Sequence, residues 1–300
     1  METDHYTKQN RLLDTKTVRL KKLDLKIQYA ELGQRSNPTV VLLHGVPENL
    51  QAWYDVAPHL AGDYHLLAID WPGFGGSEPL PRAEAYTSSF FAKVVVDFMD
   101  TMQISKAALM ATDIGLLPAF IVGLEHPGRV SKLVVMDGIP FPRPQYNSWE
   151  LKSFARKGSI RAKALIEWFP KISAQIAYHK GFYKGHTIPR EIQEAFLRDG
   201  RNKSTQIAFK SYFQNFREQQ KRFERRAHEL NVPTLILWGK HDRFIHLQLG
   251  HEIEEKLPNA KLQIIDRAGH YVHMDKPQEV VRHFMQFMDE FQGSPKVIDL

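Results

Sequence analysis

Six short runs of consecutive apolar residues limit what this chain can become. They are TVVLLHG (39–45), YHLLAIDW (64–71), KAALMAT (106–112), KLVVMDG (132–138), PTLILWG (233–239) and AKLQIID (260–266). A strand with one wet face alternates apolar and polar residues. A run that stays apolar on both parities, rich in leucine and β-branched residues, belongs to a strand covered on both faces. Segments with helical periodicity lie between the runs, at 88–102, 114–124, 247–257 and 278–291. Strand alternating with helix predicts an α/β fold with a mostly parallel, doubly wound sheet. Ahead of the first run, residues 17–31 alternate apolar and polar side chains and predict an opening pair of strands.

The alternation stops between residues 139 and 231. This stretch opens on IPFPRP, becomes helical with many charges and aromatics, and ends at NVP, where the strand pattern resumes. It predicts a helical cap, or lid, of residues 139–231 inserted after the sixth strand, with the core built from 1–138 and 232–300. A chain of 300 residues is long enough for one such domain with its insertion. The 43% hydrophobic and 25% charged fractions are those of an ordinary soluble protein. No apolar run could span a bilayer, and the polar, mixed-charge start METDHYTKQN does not resemble a signal peptide. The chain has no cysteine, which excludes disulfides, thiolate nucleophiles and cysteine-ligated metals and makes the cytoplasm the expected compartment. The net charge of +6 comes largely from residues 210–226. No nucleic-acid motif accompanies that basic run, so it reads as the solvated face of a lid helix. The histidines lack metal-ligand spacing. No metal, cofactor, nucleic acid or membrane partner is expected, and the choice between monomer and homodimer stays open.

Three segments carry chemistry. In ALMATDIGLLPAF (108–120) a buried strand runs into Ala111-Thr112-Asp113-Ile114-Gly115 and straight on into a helix. Small residues two before and two after Asp113 are what a nucleophile elbow needs, because the turn is too tight for larger ones and throws its central side chain out at the end of the sheet. Here that side chain is a carboxylate. The competing reading is a helix N-cap. In LLHGVPENLQAW (42–53) a strand ends in His44-Gly45-Val46-Pro47, and in DRAGHYVHMDKPQEV (266–280) His270 follows the last strand. His273 competes with His270 but sits inside the run toward Pro277 and is expected to pack.

Taken together, these segments resemble the epoxide hydrolase and dehalogenase branch of the α/β-hydrolases over residues 17 to 292, least in the lid. The resemblance implies that His44, Val46 and Ile114 form the oxyanion and substrate-binding loop, with the Val46 and Ile114 backbone N–H groups facing the reacting carboxylate. It implies that His270 is the general base. Two acids could orient His270. Asp242, after the seventh strand, holds the position usual in the superfamily and is the expected acid, with Asp137 the alternative. Asp137, after the sixth, stands where fluoroacetate dehalogenases and some bacterial epoxide hydrolases keep theirs.

A carboxylate nucleophile displaces at saturated carbon and forms an alkyl ester, which water then opens. The implied substrate is therefore an epoxide or an alkyl halide. An epoxide oxygen needs a proton from the lid. Tyr212, 30 residues before Asp242, matches the second lid tyrosine of epoxide hydrolases. The first lid position falls at Trp168, whose indole N–H suits a halide better than an alkoxide; Tyr178, His179 and Tyr183 are further candidates. Ile114, Leu116 and Leu117 predict an apolar pocket, which favours a small neutral hydrophobic electrophile over a haloacid. The expected activity is that of an epoxide hydrolase. The alternatives are a carbon–halogen hydrolase and a ligand-binding protein on a hydrolase scaffold. DWPGFGGSE (70–78) reads as a structural turn, and no strand–helix elbow frames Ser77.

Overall fold

The computed structural model describes residues 12–168 and 170–290. Eight strands form one sheet: β1 Thr15–Arg19, β2 Lys26–Leu32, β3 Thr39–Leu43, β4 His65–Ile69, β5 Ala107–Thr112, β6 Val130–Met136, β7 Thr234–Gly239 and β8 Ala260–Ile265. Their order is β1-β2-β4-β3-β5-β6-β7-β8. The opening hairpin runs antiparallel to the rest, with β2 paired to both β1 and β4, and every later pair is parallel. All six expected runs are strands.

The side chains show why the runs stay apolar. On β3, Val41 and Leu43 point to a layer made by α2 (Ser88–Thr101) and α3 (Leu116–Glu125), packing with Phe91, Phe98 and Phe120. Their neighbours Val40 and Leu42 point the other way, to α1 (Ala57–Leu60) and the C-terminal helix Pro277–Asp289, packing with Leu60 and Phe284. Successive residues of a strand face opposite sides, so two covered faces require apolar residues at every position. The last run departs from this: β8 is the edge strand, only its final residue is buried, and Ile264 is 43% exposed.

Helix ends follow local chemistry. Thr87 caps α2 by accepting from the Phe90 N–H. The helix expected at 114–124 starts later, because Asp113–Gly115 first winds as a tighter 3₁₀ turn. The helix expected at 278–291 is seen over Pro277–Asp289; Phe291 and the first ten residues lie outside the described residues.

Between β6 and β7 the described residues contain no strand. They form α4 (Trp149–Ala155), α5 (Ile160–Lys163), a π-helical turn at Ala164–Trp168, α6 (Pro170–Gly181), α7 (Arg190–Gly200) and α8 (Lys203–Glu224). After β7 come α9 (Gln248–Lys256), α10 (Val272–Asp275) and the C-terminal helix, α11. Gln220 of α8 donates to the carbonyls of Ile139 and Phe141 at 2.9 and 3.1 Å, and Thr205 donates to Gly73 O at 2.9 Å. The His270 N–H donates to Gly181 O at 2.6 Å. These bonds hold the helical segment against the loops at the carboxyl ends of the strands. Much of the basic run is on the outer face of α8 and beyond, with Lys221 paired to Glu218 and Arg226 to Glu229, each at 2.8 Å. No described helix is long and apolar enough to cross a membrane.

One contact ties the sheet to the loop that bears His270. A Cβ added at Gly239, the last residue of β7, would fall on the carbonyl oxygen of Gly269. Both groups are backbone, so neither can turn aside. Gly239→Ala is expected to lose about 1–3 kcal/mol of stability, read from the urea midpoint; a variant as stable as the unmodified chain would show that this approach is not tight.

Candidate active site

The elbow forms where β5 ends at Thr112. Asp113 has φ +47°, in the left-handed region that costs an L-residue about 1–2 kcal/mol. Two glycines make room for it. A Cβ on Gly115 would stand 2.8 Å from Leu43 O, and one on Gly45 would stand 2.8 Å from Asp113 Cβ. The small residues noted in the sequence thus let three backbone segments meet around one carboxylate.

That carboxylate is 5% exposed. The Val46 N–H donates to its Oδ2 at 2.9 Å, and the Ile114 N–H also stabilises it. Burial raises its pKa to about 6; the His270 charge and the two backbone donors hold it from going higher. His270 Nδ1 meets Asp242 Oδ2 at 2.9 Å. Burial alone would depress the His270 pKa, but the Asp242 carboxylate, aided by Asp113 and Asp137, carries it up to about 10. At neutral pH the resting site therefore holds an imidazolium beside a carboxylate. Asp242 is fixed by its other oxygen, which accepts from the Phe244 and Ile245 N–H groups at 2.7 and 2.9 Å.

Of the two candidate acids, Asp242 is the one bonded to His270. Asp137 ends β6 with φ +43° and is fully buried. Its Oδ1 accepts from the Gly239 N–H at 3.0 Å and its Oδ2 has no partner. Burial, then the Asp242 charge, pushes its pKa well above the carboxylate range.

Three expected side chains are engaged elsewhere. His44 is buried and braces the loop: Nδ1 donates to Gly45 O at 2.7 Å and Nε2 accepts from the Trp71 N–H at 3.1 Å. Burial lowers its pKa to about 4, which keeps it neutral. Tyr212 is also buried and off the cavity; its hydroxyl donates to Ile114 O at 2.9 Å and lies 2.8 Å from Ser88 Oγ. Trp168 is 56% exposed, with Lys163 over its ring, because the π-helical turn directs Leu165 inward instead. His273 is buried against Trp53 and faces Glu48 at 3.6 Å, away from Asp242.

Asp113 and His270 stand in the wall of one cavity. Phe154, Phe209, Phe213 and Phe244 make much of the rest of the wall, and Glu150 there is paired with Lys180 at 2.6 Å. Tyr271 also lines it. Its hydroxyl makes no hydrogen bond to a described residue, and its ring packs so closely on Gly181 that a Cβ there would strike it. The sequence reading passed over Tyr271, although its place next to His270 was a usable signal. No cluster of described residues could hold a metal ion.

A family model described as "alpha/beta hydrolase fold" matches residues 38–277. Epoxide hydrolase 3 of Xenopus tropicalis is 27% identical, over 91% of this chain and 77% of that protein. A 2-hydroxy-6-oxononadienedioate/2-hydroxy-6-oxononatrienedioate hydrolase of Cupriavidus pinatubonensis is 26% identical, over 83% of this chain and 86% of its own length. The crystal structure of epoxide hydrolase A from Mycobacterium thermoresistibile superposes with a TM-score of 0.78 at 22% identity, covering 92% of this chain and 98% of that one, a likeness of fold.

The two acids should separate in an NMR titration of the His270 ring. Asp242→Asn removes the group that holds the proton on, so the ring should titrate far below about 10. Asp137→Asn should leave most of the elevation in place. Equal effects would mean that the two acids share the imidazolium.

Proposed function

The chain belongs to the alpha/beta-hydrolase-fold family, and from that premise we propose that it is a hydrolase with an aspartate nucleophile, Asp113, that opens apolar epoxides to vicinal diols through an alkyl ester. The observation that carries this reading is the carboxylate at the elbow, with the Val46 N–H on its Oδ2 and the His270–Asp242 pair lining up behind it. A hydroxyl there would suit acyl groups; a carboxylate suits displacement at sp³ carbon. Epoxide hydrolase 3 of Xenopus tropicalis lends support through its name. The apolar cavity wall supports a neutral hydrophobic substrate.

In this mechanism an Asp113 oxygen attacks an epoxide carbon. The carbon–oxygen bond breaks, and the departing oxygen takes a proton from Tyr271, which lines the same cavity and whose hydroxyl makes no hydrogen bond to a described residue. Esterification removes the Asp113 charge. With that charge gone, part of what raises the His270 pKa is lost, and the imidazolium passes its proton to the Tyr271 phenolate, which leaves the ring neutral and able to act as a base. His270 then takes a proton from water as the water attacks the ester carbonyl. The Val46 and Ile114 N–H groups stabilise the oxyanion. Collapse breaks the bond to the alkyl oxygen, the proton of the released Asp113 carboxyl passes to that oxygen to give the diol, and the site returns to the Asp113 carboxylate beside the His270 imidazolium.

A second reading, carbon–halogen hydrolysis, is favoured by the Tyr212 hydroxyl, which is committed to Ile114 O and so leaves no lid tyrosine on the cavity from that position. A halide departs without a proton.

Intact-mass measurement separates the readings. His270→Ala, exposed to epoxides and alkyl halides, should accumulate an ester, while Asp113→Ala should stay unmodified. Adding Tyr271→Phe to His270→Ala should slow esterification by epoxides about 10²-fold and leave alkyl halides unaffected. Modification by halides only would establish the second reading, and no adduct at all would remove both. Turnover by the unmodified chain should fall as pH drops through about 6, because Asp113, with its raised pKa, then gains the proton that blocks attack; a steady-state pH profile flat down to pH 5 would exclude Asp113 as the nucleophile.

A further inference from the structure

A second cavity lies between the hinge into the helical segment, α4 and α8. It shares two wall residues, Leu151 and Phe213, with the catalytic cavity, and neither Asp113 nor His270 reaches it. Its chemistry differs from that of the catalytic cavity. Leu151, Phe213 and Phe216 supply apolar wall, and Lys152, Arg156 and Arg217 stand around it as cations. None of the three makes an ion pair with a described carboxylate, whereas Arg143 in the same wall is held by Glu224 and Glu252. The basic run of the sequence is therefore not all solvated face: where Lys221 and Arg226 are matched by glutamates on their own surface, Arg217 is left at a cavity mouth.

An apolar pocket with a few convergent charges selects a ligand of matching shape and sign. We propose that this cavity is a second ligand site for an amphiphilic monoanion, an alkyl or aryl carboxylate whose apolar body covers Leu151, Phe213 and Phe216 and whose charge lies among Lys152, Arg156 and Arg217. Because Leu151 and Phe213 line both cavities, an occupant here bears on the wall of the catalytic cavity and would adjust the shape offered to its substrate. The site needs no assumption about the reaction catalysed.

Calorimetric titration with octanoate tests it on the full chain, with octanol as the neutral control. Octanoate should bind saturably with Kd below about 1 mM, more weakly as salt is added, and octanol should bind less well. The exposed double change Arg156→Glu with Arg217→Glu should weaken octanoate about tenfold without altering thermal stability or octanol binding; Arg156→Glu alone should give part of that loss if the double variant folds poorly. Unchanged octanoate affinity in folded charge-reversed protein would place the binding elsewhere and overturn the proposal, as would absence of binding to the unmodified chain. The titration reads no catalysis, so its failure is distinct from a failure to form the Asp113 ester.

Discussion

Ionising a carboxylate inside a protein is costly unless something answers its charge, and the site is organised around that cost. Burial pushes Asp113 up to about pKa 6. The imidazolium of His270 and the N–H groups of Val46 and Ile114 keep it from going further. His270 in turn is charged because Asp242 holds its proton, and Asp242 is fixed by two backbone N–H groups of its own loop. Four loops, each leaving the carboxyl end of a strand, are joined through this chain of charges. None of the groups would be stable in its present state without the next.

The same coupling gives the proposed reaction its order. While Asp113 is a carboxylate, His270 keeps its proton and cannot act as a base. Once the carboxylate is consumed as an ester, part of what holds that proton disappears. Asp137 adds to the arrangement from behind. It is buried, accepts from the Gly239 N–H, and has its pKa raised by burial and by the Asp242 charge.

The helical segment matters to the chemistry through what it turns toward the cavity. Phe154, Phe209 and Phe213 make an apolar wall, in which charge separation is felt strongly. Tyr212 belongs to the same helix as Phe209 and Phe213, yet its hydroxyl is drawn to Ile114 O, so it braces the elbow from outside. Tyr271, from the loop after β8, also lines the cavity. In the proposed mechanism the proton donor and the base are therefore neighbours in sequence, carried by one loop that the Gly181 carbonyl clamps from the helical segment.

The sheet was legible in the sequence because covering both faces of a strand imposes a pattern on every residue of it; only β8 departed, since an edge strand is not visible in its own composition. The elbow was legible for a similar reason: the turn at Asp113 is local enough to demand small residues at fixed spacing, Ala111 and Gly115, whereas the approach of Gly45 to Asp113 is a tertiary contact. His270 could be placed by its position after the last strand. The choice between Asp137 and Asp242 could not, because both end buried strands and only the distance to His270 Nδ1 tells them apart. Nor could the roles of Tyr212, Trp168 and Tyr271. A side chain on a helix or loop is directed by what packs around it, and those neighbours come from parts of the chain far away in sequence. Sequence determined which residues stand at the ends of the strands; tertiary packing decided which of their atoms meet.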